Sequence, residues 1–342
     1  MRPVVRFALI GCGGIGQIRA RALRATPELR LVAAADAEAS RAAQAATPHG
    51  AAVLRDWRAC LGRDDVDAVI VSTPPALHAE MCVEALRAGK HVLVEKPLAR
   101  NPEECGAILE AERASGRFLA TGFNYRFYPS VRAAREALDA GAVGALDHVR
   151  SYSGYTAADH SHAWLHELDA MGGGALRDNG IHLIDLTRWF LGEVDEVKGF
   201  RTNAVWRFPG CEDNGYALLR SEAGRVATLH ASWTEWAGYQ FRIELYGDRG
   251  RIRLSCFPMT VDVLSAAERG GPLRRRRHVY PLLHLMEKWK SYRWVVERSF
   301  VEEHRAFAAA TRGERSAVAT GLDGARAVEI AAAVDGGEEA RP

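Results

Sequence analysis

The stretch FALIGCGGIGQIRARAL, Phe7 to Leu23, constrains this chain more than any other part of it. Four apolar residues run straight into Gly11, Gly13 and Gly16, and apolar positions then recur at helical spacing. In a strand–turn–helix of this kind, the first glycine permits the tight turn. The second removes a side chain so that backbone can approach a pyrophosphate, and the third lets helix and strand pack closely. The start of the helix offers free N–H groups and partial positive charge to phosphates. Asp36 ends the next apolar run, where a carboxylate accepts hydrogen bonds from ribose hydroxyls and repels a 2′-phosphate. A glycine turn with a capping aspartate would carry the same letters, but the order of strand, turn, helix and acid favours a dinucleotide. The expected contacts are Gly11, Gly13, Gly14, Ile15, Gly16 and Asp36. NAD is the expected cofactor, and NADP stays possible because Arg19 or Arg41 could reach a phosphate.

The first third of the chain repeats this alternation. VVRFALI, LVAAAD, VDAVIVST, HVLVEKP and RFLATGFN read as buried strands, separated by segments such as HAEMCVEALRAG with helical spacing and a closing glycine. Near-continuous apolar strands between helices imply a parallel sheet covered on both faces. After about residue 145 the rhythm changes. One helix is expected over about Asn179–Leu191, followed by alternating strands in EVKGFRTNAVWRF, GYALLRSE, RVATLHASWTE, YQFRIELYG, GRIRLSCF and VDVLSA. Two helices, about Met286–Thr311 and Thr320–Val334, close the chain. The fold class is therefore α/β: a doubly wound parallel sheet over residues 1–123, then an α+β domain with an open, mainly antiparallel sheet over 124–342. No apolar run approaches the roughly 18 residues that span a bilayer, and Met-Arg-Pro-Val-Val is not a signal peptide. The six scattered cysteines read as reduced thiols in a cytoplasmic protein. A net charge of +2 gives no field that would draw the chain to nucleic acid or an anionic membrane.

Three further motifs carry polar groups at strand ends or on a helix. VEKP places Glu95 and Lys96 at the end of the fifth strand, where ligands of doubly wound sheets bind. The tetrapeptide alone fits an exposed lysine before a turn equally well. In STPPALH, Pro74 and Pro75 stop the fourth strand and fix a loop, with Ser72 and Thr73, over the cofactor. His78 opens a helix, as a cap or a ligand contact. In GGGALRDNGIHLIDLTRWFLG, Asp178, His182 and Asp185 are spaced four and three apart, so one helix face presents carboxylate, imidazole and carboxylate. Such a trio suits proton transfer, though it is also an ordinary solvated face.

Together these motifs, with GFNYRFYP (Gly122–Pro129) and Trp164 ahead of the triple glycine, resemble the glucose–fructose oxidoreductase / inositol dehydrogenase family (Gfo/Idh/MocA) over nearly the whole chain. The resemblance implies a Rossmann domain followed by a substrate domain whose sheet supports a homodimer or homotetramer. It also implies NAD(P)-dependent transfer of a hydride between the nicotinamide and a secondary alcohol or ketone of a sugar, glycoside or cyclitol. Lys96, Asp178 and His182 match the family's catalytic lysine, aspartate and histidine. Lys96 would position the cofactor and polarise the reacting oxygen, and His182 with Asp178 is the expected base. Arg126 and Trp164 match positions lining the substrate and nicotinamide pocket, and Tyr155 and Asn179 join them as substrate-side candidates. Three other readings fit the same scaffold: an NAD-recycling glycoside hydrolase or lyase, which would release product without net NADH, a non-catalytic dinucleotide sensor, and a reductase of a non-carbohydrate such as a tetrapyrrole or an imine, which would have a pocket poorer in polar groups.

Other features carry less. His160, His162 and His166 lie close enough for zinc, but nothing in the resemblance needs a metal and none is expected. The run Arg274–Arg277 reads as an exposed hairpin or subunit rim. Trp289, Trp294 and Phe300 read as core or interface rather than a nucleic-acid platform. Trp206, Trp233 and Trp236 suit either a buried oligomer face or a carbohydrate-stacking wall.

Overall fold

Val5–Ile10 (β1) is the centre about which the first unit is built. Apart from half-buried Arg6, its side chains are buried, as expected of a strand covered on both faces. In the computed structural model, which describes residues 4–159, 162–290 and 293–335, β1 is joined by Leu29–Ala35 (β2), Ala52–Leu54 (β3), Ala68–Val71 (β4), His91–Val94 (β5) and Leu119–Thr121 (β6). All pairs are parallel and the order is β3-β2-β1-β4-β5-β6. The order reverses between β1 and β4, which makes the carboxyl ends of these two strands the place where a ligand fits. The connecting helices are Gly14–Arg24 (α1), Ala39–Ala46 (α2), Arg58–Leu61 (α3), His78–Arg87 (α4) and Pro102–Ser115 (α5). The boundaries of α5 are set locally. The Asn101 side chain accepts the Glu104 N–H at 2.9 Å, Pro102 occupies the first turn, and Gly116 takes a left-handed φ of 63° at the end.

The two compact units are residues 1–124 with 287–326, and 125–286 with 327–342. This differs from the sequence expectation, which gave everything after 123 to the second domain. The reason is Arg293–Thr311 (α10). Its Phe300 packs with Ile18 and Ala22 of α1, flanked by Val296 and Val301. Phe307 meets the rings of Phe7 and Phe118 at 5.9 and 5.8 Å. Trp294 is half-buried beside Arg298, and the side chain of Trp289 lies outside the described residues.

The second unit holds an eight-stranded sheet. Its strands are Leu146–Gly154 (β7), Val194–Thr202 (β8), Asn214–Ser221 (β9), Val226–Ser232 (β10), Gln240–Gly247 (β11), Gly250–Cys256 (β12), Met259–Ser265 (β13) and Arg274–Val279 (β14), in the order β14-β13-β12-β11-β7-β10-β9-β8. Every pair is antiparallel except β7 with β10. Burial alternates cleanly, as in β9, where Ala217, Leu219 and Ser221 face in and Tyr216, Leu218 and Arg220 face out. Pro129–Asp139 (α6) lies against β12 and β13, and Gly180–Leu191 (α8) against β7 and β10, with the short Leu168–Met171 (α7) before it. The remaining helices are Pro281–Lys290 (α9) and Gly321–Asp335 (α11). β14 is the arginine run, exposed along its whole length at the sheet edge, where charge discourages pairing with another chain. The strand expected to run to Phe208 stops at Thr202. Asp213 accepts the N–H groups of Val205 and Trp206, Asn203 bonds Phe208 O, and Arg207 takes a φ of 56°, so residues 203–210 form a fixed loop.

Candidate active site

At the end of β1, Gly11 has a φ of 86°, and a Cβ there would lie 2.6 Å from Ser72 O at the end of β4. A Cβ at Gly16 would lie 2.2 Å from Gly11 O, so this glycine lets α1 sit on the turn. Gly13 and Gly14 behave differently: a Cβ on either meets nothing within 4 Å. The open edge of the turn is therefore where a ligand's backbone can approach. Gly13 caps α1 without a side-chain bond, the first turn contains no acid, and Ile15 is exposed beside it. These amides are suited to a pyrophosphate. Gln17 braces the turn by donating to Cys12 O and Arg41 O, both at 2.9 Å.

Asp36 is half-buried at the end of β2, where Oδ2 accepts Cys12 N–H at 2.7 Å and Oδ1 accepts Glu38 N–H at 2.8 Å. Two amides thus aim the carboxylate and leave it lone pairs for ribose hydroxyls. Ser72 Oγ, at the end of β4, is buried and has no hydrogen-bond partner among the described residues. An orphaned hydroxyl at the switch point, beside an open glycine edge, fits a bound dinucleotide. Thr73 Oγ1 reaches Met81 Sδ at 3.5 Å, and Pro74 is extended before Pro75 starts a short helical turn.

The structure changes the reading of two residues here. His78 is fully buried, with Nε2 at 2.9 Å from Thr73 O and Nδ1 at 2.9 Å from Pro97 O, so the ring ties the two strand-end loops together. Arg19 is fully buried and paired with Glu95 and Glu303, which removes it as a phosphate ligand; Arg41 stays exposed near Glu38. Glu95 and Lys96 are half-buried just past β5. Cys12, in the turn itself, is a buried thiol whose pKa burial pushes up to about 12.

In the second unit, Asp178 lies in the turn ahead of α8. The triple glycine that leads into it is explained by Glu212, whose buried carboxylate accepts Gly174 N–H at 2.8 Å and Leu176 N–H at 2.7 Å. Backbone comes so close that a Cβ on Gly174 would be 2.1 Å from Glu212 O. Asp178 Oδ2 accepts from Tyr155 Oη and, at 3.2 Å, from Trp233 Nε1. Burial, then Asp178, drive the Tyr155 phenol far above its usual range, which keeps it a donor. His182, in the first turn of α8, is buried with its ring stacked on Tyr125 at 4.2 Å and 10°. Tyr125 Oη meets Tyr239 Oη at 2.9 Å. Asn179 Nδ2 donates to Ser153 Oγ at 3.0 Å, while its buried Oδ1 has no partner among the described residues.

Asp185, the third residue of that expected face, is bonded by an arginine. It receives Arg126 Nε at 2.9 Å and Nη2 at 2.5 Å, and the pair is 1% and 4% exposed. Arg126 therefore anchors α8. Trp233 is fully buried and bonded to Asp178, so it is neither oligomer face nor sugar wall, whereas Trp236 is exposed and Trp206 half-buried, with ring centroids 5.8 Å apart. Trp164 is half-buried next to exposed His162, and His166 stacks on Phe208 at 3.9 Å. His160 lies outside the described residues, and among those described no three His, Cys, Asp or Glu side chains form a metal site. Sequence reading missed Tyr125, Tyr239 and Glu212 because their partners lie far along the chain. The aromatic run in GFNYRFYP was the one available signal for Tyr125.

A dinucleotide turn on a doubly wound sheet, with a buried carboxylate and imidazole on a mixed α+β unit, defines a nicotinamide-dependent oxidoreductase. The chain belongs to the GFO/IDH/MocA family: the profile of the oxidoreductase family with an NAD-binding Rossmann fold matches residues 5–123, and that of the GFO/IDH/MocA C-terminal domain matches 131–253. Inositol 2-dehydrogenase of Rhizobium meliloti (strain 1021) is 34% identical over 253 residues, 72% of this chain and 74% of its own. YrbE of Bacillus subtilis (strain 168), an uncharacterized oxidoreductase, is 29% identical over 97% of this chain and 94% of its own. Levoglucosan dehydrogenase in complex with NADH aligns at a TM-score of 0.85 and 25% identity, over 97% of this chain and 96% of its own.

Proposed function

We propose that this oxidoreductase oxidises a ring hydroxyl of a cyclitol, sugar or anhydrosugar, or reduces the matching ketone, with NAD preferred. The carrying observation is Asp178, a buried carboxylate held by Tyr155 and Trp233 one helical turn before His182. Support for the substrate class comes from the inositol and levoglucosan dehydrogenases it resembles, and support for NAD from Asp36, which repels a 2′-phosphate. The glycine edge, Ser72 and Asp36 would hold the dinucleotide, which supplies the hydride acceptor or donor when bound.

His182 takes the hydroxyl proton. Its ring plane is set by the Tyr125 stack, and Asp178 provides the negative charge that favours imidazolium as the proton arrives. Lys96 orients the nicotinamide end and polarises the reacting oxygen. Asn179 Oδ1 is the acceptor for a second substrate hydroxyl, and Trp164 lines the pocket. Arg126 is left out of this set.

The outward face of β8, β9 and β10 carries Phe200, Tyr216, Leu218 and Val226, with Phe200 69% and Leu218 54% exposed. We assign this patch to contact with a second copy of the chain. No described helix is long and apolar enough to cross a membrane. All six cysteines are buried and free, which fits the reducing cytoplasm.

The test is NADH formation across inositols, free sugars and anhydrosugars, with NADP in parallel. Lys96→Ala and His182→Ala should each lower kcat by about 100-fold or more while NADH affinity is kept. Wild-type turnover in both variants would refute the assignment, and product release without net NADH would replace it with the cofactor-recycling activity.

A further inference from the structure

Arg19 sits three residues beyond Gly16 on α1, where an apolar side chain would ordinarily meet the core, yet it is 0% exposed. Its Nε donates to Glu95 Oε1 at 2.6 Å and its Nη1 to Glu303 Oε2 at 2.9 Å. His304 Nε2 stands 3.1 Å from the same Nη1. A guanidinium only donates, so that nitrogen accepts, and His304 is the neutral tautomer with its proton on Nδ1. Burial first, then the Arg19 charge, lower the His304 pKa, in agreement. The Phe300 ring centroid lies 4.2 Å from the guanidinium carbon.

Burying a guanidinium with two carboxylates rarely adds stability over apolar packing, so its value lies elsewhere. Glu95 shows where. One of its oxygens takes Arg19, and the other accepts the backbone N–H of Lys96 at 3.2 Å. The lysine's main chain is thus hung from a carboxylate whose own place is set by α1 and α10. Gly122, just past β6, makes the space: a Cβ there would lie 2.7 Å from Arg19 Nη2.

We infer that Arg19 is a positioning residue for Lys96. Clamped by Glu303, it fixes Glu95, and through Glu95 it fixes the turn that presents the lysine. This rests on the role given to Lys96 above, so the test includes a readout that needs no substrate. The chain has five lysines, Lys90, Lys96, Lys198, Lys288 and Lys290. Reductive methylation with isotope-labelled formaldehyde therefore gives a sparse NMR spectrum in which Lys96→Arg identifies the Lys96 signal. Glu303→Gln keeps the shape and removes a charge, whereas Arg19→Gln removes the fork and adds no lysine to the spectrum.

In both variants the Lys96 signal should move while that of Lys90 stays. NADH affinity by fluorescence titration should hold within about threefold, and kcat should fall about tenfold or more with KM little changed. An unmoved Lys96 signal in the folded variants overturns the inference. So does a fall in NADH affinity that matches the fall in kcat, because the network would then serve the cofactor site. Gly122→Ala crowds the guanidinium most closely, and Val94 O and Glu95 Cα at 3.2 and 3.4 Å, without removing any charge, and covers the case in which a charge variant does not fold. It must also move the Lys96 signal, or the inference fails. Variants that move the signal, in a parent protein that turns over no polyol, would sink the dehydrogenase reading and leave the positioning network standing.

Discussion

Replacing Arg126 by methionine separates a structural arginine from a substrate-binding one. The guanidinium meets Asp185 at two points, and both side chains are almost entirely excluded from water. Removing one partner strands the other charge, at a cost of about 3–5 kcal/mol. In a domain of this size each kcal/mol lowers the thermal midpoint by about 2–4 °C, so Arg126→Met should melt about 6–20 °C below the parent. Adding Asp185→Leu removes the stranded carboxylate. Since an apolar pair often equals a buried ion pair in stability, the double variant should recover most of the loss, so the two changes are far from additive. The assay is thermal unfolding of the parent, both singles and the double by circular dichroism. KM is measured alongside, below the lowest midpoint, and should be close to the parent value in the double variant. The reasoning is refuted if Arg126→Met melts within about 2 °C of the parent and KM rises in both the single and the double variant, because the guanidinium would then be holding substrate.

Three other outcomes are expected. Gly16→Ala should cost about 1–3 kcal/mol whether or not cofactor is present, because its Cβ would collide with Gly11 O. Gly13→Val, which points into open space, should lower the apo stability by no more than the loss of a helix N-cap, about 1 kcal/mol, but abolish the stabilisation of about 2.7 kcal/mol that NADH gives at 100 times its Kd. An undiminished NADH shift in Gly13→Val would remove the glycine edge from the cofactor site. Leu218→Arg should lower the light-scattering mass toward one chain by placing charge in the exposed patch on β9; an unchanged mass excludes that face as the contact.

The parts of the fold that the sequence made legible are those decided by neighbours. Strand, glycine turn and helix at residues 7–23 follow one another directly, and period-two burial in β9 and β10 is written in alternate letters. The misread parts depend on distant partners. Spacing put Asp185 on the face of His182 but could not say that Arg126, 59 residues earlier, would claim it. Arg19 looked available to a phosphate because nothing near it in the chain is acidic, and its partner Glu303 lies 284 residues away. His78 reads as a cap from its position, and only the Pro97 carbonyl, brought in by the neighbouring strand, shows that the ring is a tie. α10 follows the second domain in the chain, yet its Phe300 and Phe307 complete the core of the first.

That last arrangement orders events during synthesis. A ribosome that has released residues 1–124 has made every strand of the parallel sheet, but Phe7, Ile18 and Ala22 must wait for side chains encoded some 280 to 300 codons later. Until then the nascent half carries a greasy, half-dressed flank that invites chaperones. Anyone seeking the dinucleotide-binding half alone should therefore splice the late helix back on rather than cut the gene after its first third.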